Sequence, residues 1–150
     1  MEIQSLCDAL TGGFGAHPDH DAHVHPTLSA IQILIMQDAL DRVDIPRVVK
    51  CIVLFIWYDI QDADDRATIM CFTYYPVIVS LQQTSGVFAG DAFGEIDTRF
   101  SFCAINALGL LGQLDQIDTN KAVEYIEKCR NFDGGFGSCV GAESHSAQGG

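Results

Sequence analysis

Basic residues are scarce in this chain: eight Lys and Arg stand against 20 Asp and Glu, a formal net charge of −12. A surface for nucleic acid or an anionic membrane needs clustered Lys and Arg, so both partner classes are excluded and basic partners are easier to accommodate. Long hydrophobic runs are missing as well. The longest uncharged apolar stretch, Cys51 to Tyr58, falls far short of the about 18 residues of a membrane span. Met1 leads into no basic segment followed by an apolar one, so no secretory signal is expected. The six cysteines, Cys7, Cys51, Cys71, Cys103, Cys129 and Cys139, include no Cys-x-x-Cys pair. They read as reduced thiols of a cytoplasmic protein, used mostly to fill the core, with Cys103 and Cys129 on apolar helical faces. None of the glycine turns continues as Gly-Lys-Ser or Gly-Lys-Thr, and none follows a strand. Both the P-loop and the dinucleotide fingerprint are thereby ruled out, and the glycines are better explained by positive φ at helix ends.

What the chain does have is 48% apolar residues, enough for a globular core, and internal repetition. Three glycine and aromatic turns recur: Gly12-Gly13-Phe14-Gly15, Ser85-Gly86-Val87-Phe88 and Gly134-Gly135-Phe136-Gly137. Nine residues after each Phe stands an ionisable residue, His23, Asp97 or His145. In the first two copies an apolar helix follows at an offset of 74, with Leu28, Ile31, Leu34 and Leu40 answering to Phe102, Ile105, Leu108 and Leu114. A second helix comes after each. Asp118 is its N-cap, and Ala122, Val123, Ile126 and Cys129 form its apolar stripe. Asp44 with Val48, Val49 and Ile52 repeats the pattern, and Pro46 sits in the first turn where its missing N–H costs little. The fold class is therefore all-α, a solenoid or closed array of helix-pair repeats over 7–50, 81–128 and an incomplete 129–150.

The segment 52–80 breaks this rhythm. From Asp44 to Phe88 is 44 residues, but from Asp118 to Phe136 only 18, an excess of 26. A surface insertion is normally polar, whereas this one holds Ile52 to Tyr58 and Phe72 to Val79, which read as strands with no sheet to join. Translated non-coding sequence, such as a retained intron, is the favoured reading. A genuine β-hairpin or lid is the alternative.

Two clusters invite chemistry. His17, His20, His23 and His25 with Asp19 and Asp21 offer zinc ligands, but zinc needs three or four ligands pre-positioned by helices or hairpins, and this stretch is a proline-bounded turn. A solvated loop is the simpler account. Arg99 enters a helix lined by Phe100, Phe102, Ile105 and Leu108, which places a guanidinium at the rim of an apolar wall. That pairing suits a ligand with a greasy body and an anionic head. It equally suits an internal ion pair with Asp97 or Glu95 that pins the turn. His145 in the next turn could add a second donor to the same anion.

At the run Phe88 to Asp91 and Phe93 to Ala104 the sequence resembles the β subunits of protein prenyltransferases, those of Rab geranylgeranyltransferase most closely. Asn131 to Gly137, Glu143-Ser144-His145 and Thr27 to Leu34 extend the likeness. The resemblance implies a partial α/α barrel (toroid) around an aromatic-lined funnel and a transferase moving geranylgeranyl from its diphosphate to C-terminal cysteines of Rab proteins. It implies an α subunit, a Rab GTPase presented by an escort protein, and geranylgeranyl diphosphate as partners. By it, Arg99, His145, Ser146, Ala147 and Gln148 face the prenyl diphosphate and Phe102 lines the lipid pocket. The zinc ion of the family, which activates the substrate thiol, takes an Asp-x-Cys pair and a later His that residues 1–150 do not contain, so no residue is assigned to metal and none to a catalytic role. The chain alone is expected to be inactive. Rival readings are a non-catalytic α-hairpin binding module and a metal-binding protein built on the His17 to His25 cluster.

Overall fold

A computed structural model describes residues 12–53, 81–91 and 93–148, with Lys50 and Val53 described by backbone alone. Helix α1 spans Val24–Met36, α2 Ile45–Val53, α3 Thr98–Leu110 and α4 Thr119–Lys128, with short 3-10 turns at Leu40–Arg42 and Leu114–Gln116. Each element of the second set begins 74 residues after its counterpart, as the repeat predicts. Among the described residues the turns make only isolated bridges, Gln82 with Phe88, Ala89 with Ile96 and Arg130 with Phe136, and no strand forms. The fold is all-α.

The residue before each helix explains where it starts. Asp44 Oδ1 accepts from Arg47 N–H at 3.2 Å and Asp118 Oδ1 from Lys121 N–H at 3.0 Å, satisfying one of the unpaired first-turn donors. The ends repeat too. Asp38 (φ 51°) and Gly112 (φ 69°) both take left-handed backbone, while Ala39 N–H bonds Leu34 O at 2.9 Å and Gln113 N–H bonds Leu108 O at 2.8 Å. The turn phenylalanines are driven inward and fastened there: Phe14 N–H donates to Thr27 Oγ at 3.0 Å and Phe88 N–H to Ser101 Oγ at 3.4 Å. Both rings are fully buried.

Helix α1 packs on α3. Leu28, Ile31 and Leu34 share one core with Phe14, Phe88, Phe100, Ala104, Ala107 and Leu108. The third turn is stitched to this layer by Thr98, whose N–H reaches Ser138 O at 2.9 Å and whose hydroxyl reaches Gly137 O at 3.0 Å. Val24 N–H does the same to Gly90 O at 2.8 Å, so each first helix is bound by the following turn.

Three expectations need correction. On α4 the buried residues are Ala122, Tyr125 and Cys129, while Val123 is exposed and Ile126 half-buried, because the helix turns its Tyr125 face to Val87 and not its Val123 face. Phe102 does not share the fate of Leu28: Leu28 is covered by the α1–α3 core, whereas no helix among the described residues covers Phe102, which stays 62% exposed. Ile52, read both on the stripe of the second helix and, with Val53, at the start of a strand-like run, belongs with Val53 to α2 and is buried in the core as the helical reading has it. The rest of the anomalous segment, 54–80, lies outside the described residues, as do Cys7, Cys71, 7–11 and 149–150.

Candidate functional site

The N-terminus of α3 is the place where charge and apolar surface meet. Asp97 is its extended N-cap (φ −157°, ψ 143°), with Oδ1 accepting Arg99 N–H at 2.8 Å. The Arg99 guanidinium folds back onto the same carboxylate, Nε to Oδ1 at 3.0 Å and Nη2 to Oδ2 at 2.7 Å. Asp97 is almost enclosed, with 8% of its side chain exposed, while Arg99 keeps 52%. Burial alone would push the Asp97 carboxyl up, yet the hydrogen bonds from the Arg99 side chain and backbone hold it below the usual carboxylate range. The same hydrogen bond and charge raise Arg99.

One turn further on, Phe102 projects on the Arg99 side of the helix, as positions i and i+3 must. Phe100 lies on the other side, buried, with its ring meeting His23 edge-on at 5.0 Å and 78°. The wall expected from Phe100, Phe102, Ile105 and Leu108 is thus divided. Phe100 and Leu108 are core, Ile105 packs at the core's margin, and Phe102 alone is presented beside Arg99.

The third turn carries the other assigned residues. His145 N–H bonds Phe136 O at 3.1 Å, and its Nδ1 accepts Ala147 N–H at 3.1 Å, which fixes the neutral ring with its proton on Nε2. Gln148 N–H bonds His145 O at 3.0 Å, and its side-chain amide reaches back to Asp97 Oδ1 at 3.5 Å. The structure therefore brings Gln148 to the Asp97–Arg99 pair. His145, Ser146 and Ala147 lie exposed on the turn, and among the described residues no hydrogen bond joins His145 to Arg99.

The shared role of His23, Asp97 and His145 was not visible as such in the sequence. Each side chain accepts the N–H of the residue two places on: His25 at 3.1 Å, Arg99 at 2.8 Å and Ala147 at 3.1 Å. The available signal was an acceptor at one fixed place after the turn in every copy, directly ahead of a helix in the first two.

Metal chemistry finds little here. His17 and His20 rings lie 5.6 Å apart at 42°, and His23 Nδ1 is committed to its cap. Among the described residues no group of three or more His, Cys, Asp or Glu is arranged to hold a metal ion. These residues do not fit a zinc site. Burial pushes the thiols of Cys103 and Cys129 up, and both are core side chains. No helix among the described residues is long and apolar enough to cross a membrane.

The model of the prenyltransferase alpha-alpha toroid domain matches residues 1–149. The chain belongs to this family. Among the curated members, the geranylgeranyl transferase type-2 subunit beta of Saccharomyces cerevisiae is 40% identical over 146 residues, covering 97% of the chain. The Candida albicans subunit of the same description is 39% identical over 144 residues, or 95% of the chain. The chain spans 38% of the length of each of these relatives. Among solved toroids, Candida albicans protein geranylgeranyltransferase-I complexed with GGPP superposes with a TM-score of 0.71 over 98% of this chain and 38% of its own, at 20% identity, which supports the toroid fold alone.

Proposed function

We propose that this chain forms part of the β subunit of a type-2 geranylgeranyltransferase and supplies one side of its prenyl diphosphate site. The observation that carries this is the pairing on α3 of a half-exposed guanidinium with an exposed phenylalanine one turn away. A forked donor suits diphosphate oxygens, and the aromatic suits the isoprenoid chain beside it. The 40% identity to the yeast type-2 subunit supports the choice of chemistry. In the reaction, a cysteine thiolate at a Rab C-terminus attacks C1 of the geranylgeranyl group, a C–S bond forms, the C–O bond breaks and diphosphate leaves with the electron pair. Arg99 stabilises the departing negative charge. His145 faces it with its Nε2 proton, and Ser146, Ala147 and Gln148 complete that edge.

The partners are a prenyltransferase α subunit, geranylgeranyl diphosphate, and a Rab GTPase brought by an escort protein, in the cytoplasm. Zinc activation of the thiol is assigned to no residue of this chain. Two repeats and a third turn do not enclose a funnel, so the 150 residues alone are expected to be inactive.

The Asp97–Arg99 ion pair is the observation that favours a second reading, in which Arg99 only pins the turn. Binding separates them. In the full-length protein paired with its α subunit, Arg99→Ala should weaken geranylgeranyl diphosphate by about 10- to 150-fold, the loss of about 1.5–3 kcal/mol of charge-assisted hydrogen bonding. Unchanged affinity, with Arg99→Ala and Asp97→Ala lowering the melting temperature alike, would leave only the pinning role.

A further inference from the structure

We infer that Asp97 is a positioning residue: its carboxylate holds the Arg99 guanidinium in the orientation from which diphosphate is bound, and Gln148 of the third turn steadies that carboxylate. The inference rests on the reading of Arg99 as a diphosphate ligand given above.

Capping a helix requires one acceptor and no more. His23 caps α1 through a single Nδ1 contact, and His145 caps the third turn in the same way. At the equivalent place Asp97 does far more. Its Oδ1 receives the Arg99 backbone N–H, the Arg99 Nε–H and the Gln148 amide, and its Oδ2 receives Arg99 Nη2. The residues two places after the other caps, His25 and Ala147, return nothing to them from their side chains.

Stability does not account for the extra bonds. An ion pair whose cation is half exposed is screened by water, and such pairs are worth about 0–1 kcal/mol. What the geometry does fix is direction. With Nε and one edge of Nη2 taken by Asp97, the N–H groups of Nη1 and the outer edge of Nη2 are left for an incoming anion. Ordering the fork beforehand spares a ligand the entropy of doing so.

Gln148 adds the connection between repeats. Its Oε1 is buried and has no hydrogen-bond partner among the described residues, where its side-chain amide is bound to Asp97 alone. Beside the Thr98 bonds to Gly137 and Ser138, Asp97 is thereby a further joint between the α3 half of the site and the turn that carries His145.

The test turns on a sign. Asp97→Asn keeps a good cap acceptor and removes a negative charge from beside an anion site. By Coulomb attraction alone the variant should bind geranylgeranyl diphosphate more tightly. Positioning predicts the reverse, a loss of about 5- to 30-fold, with no further loss when Asp97→Asn is added to Arg99→Ala, because the carboxylate acts through the guanidinium. Affinity is measured on the full-length protein paired with its α subunit, alongside its melting temperature. Arg99→Lys is a second variant that leaves the cap and the charge in place. It loses the forked registration, so it should lose most of what Arg99→Ala loses. Binding by Asp97→Asn as tight as wild type or tighter, or by Arg99→Lys equal to wild type, overturns the positioning role while Arg99→Ala still weakens. Unweakened binding by Arg99→Ala removes the diphosphate assignment itself, and the positioning role with it.

Discussion

Two histidines and an aspartate do one job at the same place in the repeat, and for His23 and Asp97 the choice of residue decides the response to pH. His23 can cap α1 only when neutral, because protonating Nδ1 removes the acceptor and sets a positive charge against the helix N-terminus. Its pKa lies below 6.5, chiefly through burial and with a small push from His25, against the opposing pull of Asp91 and Glu95. Between that folded value and 6.5 the unfolded chain binds a proton that the folded chain does not. Stability should therefore fall as pH drops below about 6.5 and level off once the folded His23 is itself protonated. His23→Asn retains the cap and should remove this pH-dependent component. Melting curves between about pH 7.5 and about pH 5.5 check it, and an identical pH slope in the variant would show that His23 is not the group responsible. Asp97 works in the same direction at lower pH. Its lowered pKa contributes stability that is present above the ordinary carboxylate value and is lost as pH falls through the folded one. The Asp44 and Asp118 caps were legible in the sequence because aspartate ahead of a helix is a familiar acceptor. The histidine caps were not, since imidazole is outside the usual cap repertoire.

At the scale of elements, the repeat locates the interruption. Val53 at the end of α2 answers to Glu127 at an offset of 74, while Leu81 answers to Cys129 at an offset of 48. The second correspondence is structural. Leu81 O accepts Ala89 N–H at 2.9 Å as Cys129 O accepts Gly137 N–H at 3.0 Å, and Gln83 and Asn131 close equivalent turns. Between the matched positions the second copy has Lys128 alone, where the first has 54–80. Removing 55–80 should therefore leave both flanks in register, keep the helical circular dichroism and not lower the melting temperature. A genuine hairpin or lid belonging to the fold would instead cost stability when deleted, and the retained-intron reading would fall with it. The turn glycines show why this register is strict. Gly86 (φ 99°) lies against the Lys121 carbonyl of α4, and a Cβ there would collide with it. Helix positions and the Asp44 and Asp118 caps were readable from period and punctuation. Which face of α4 is buried was not, because Val123 and Tyr125 both offer apolar surface and the partner Val87 decides between them.

At the scale of the molecule, repeat architecture and family were readable because the turns and the run around Asp97 to Cys103 recur or resemble as sequence. The arrangement of the site was less so. Spacing put Arg99 at a rim with Phe102, but the contact that joins the third turn to the Asp97–Arg99 pair runs from Gln148 to Asp97, 51 positions apart, beside the Thr98 bonds to Gly137 and Ser138, and only folding brings them together. The net charge of −12 leaves Arg99 as a local cation in an acidic chain, so its anion affinity should depend on the carboxylate that orients it more than on any general field. The most direct measurement is transfer itself. Full-length protein with its α subunit, escort protein and a Rab substrate is incubated with labelled geranylgeranyl diphosphate, and label in the Rab C-terminal cysteines is counted. Label that appears in Rab and is strongly reduced by Arg99→Ala is the predicted result. A properly folded assembly that neither binds geranylgeranyl diphosphate nor labels Rab would contradict it.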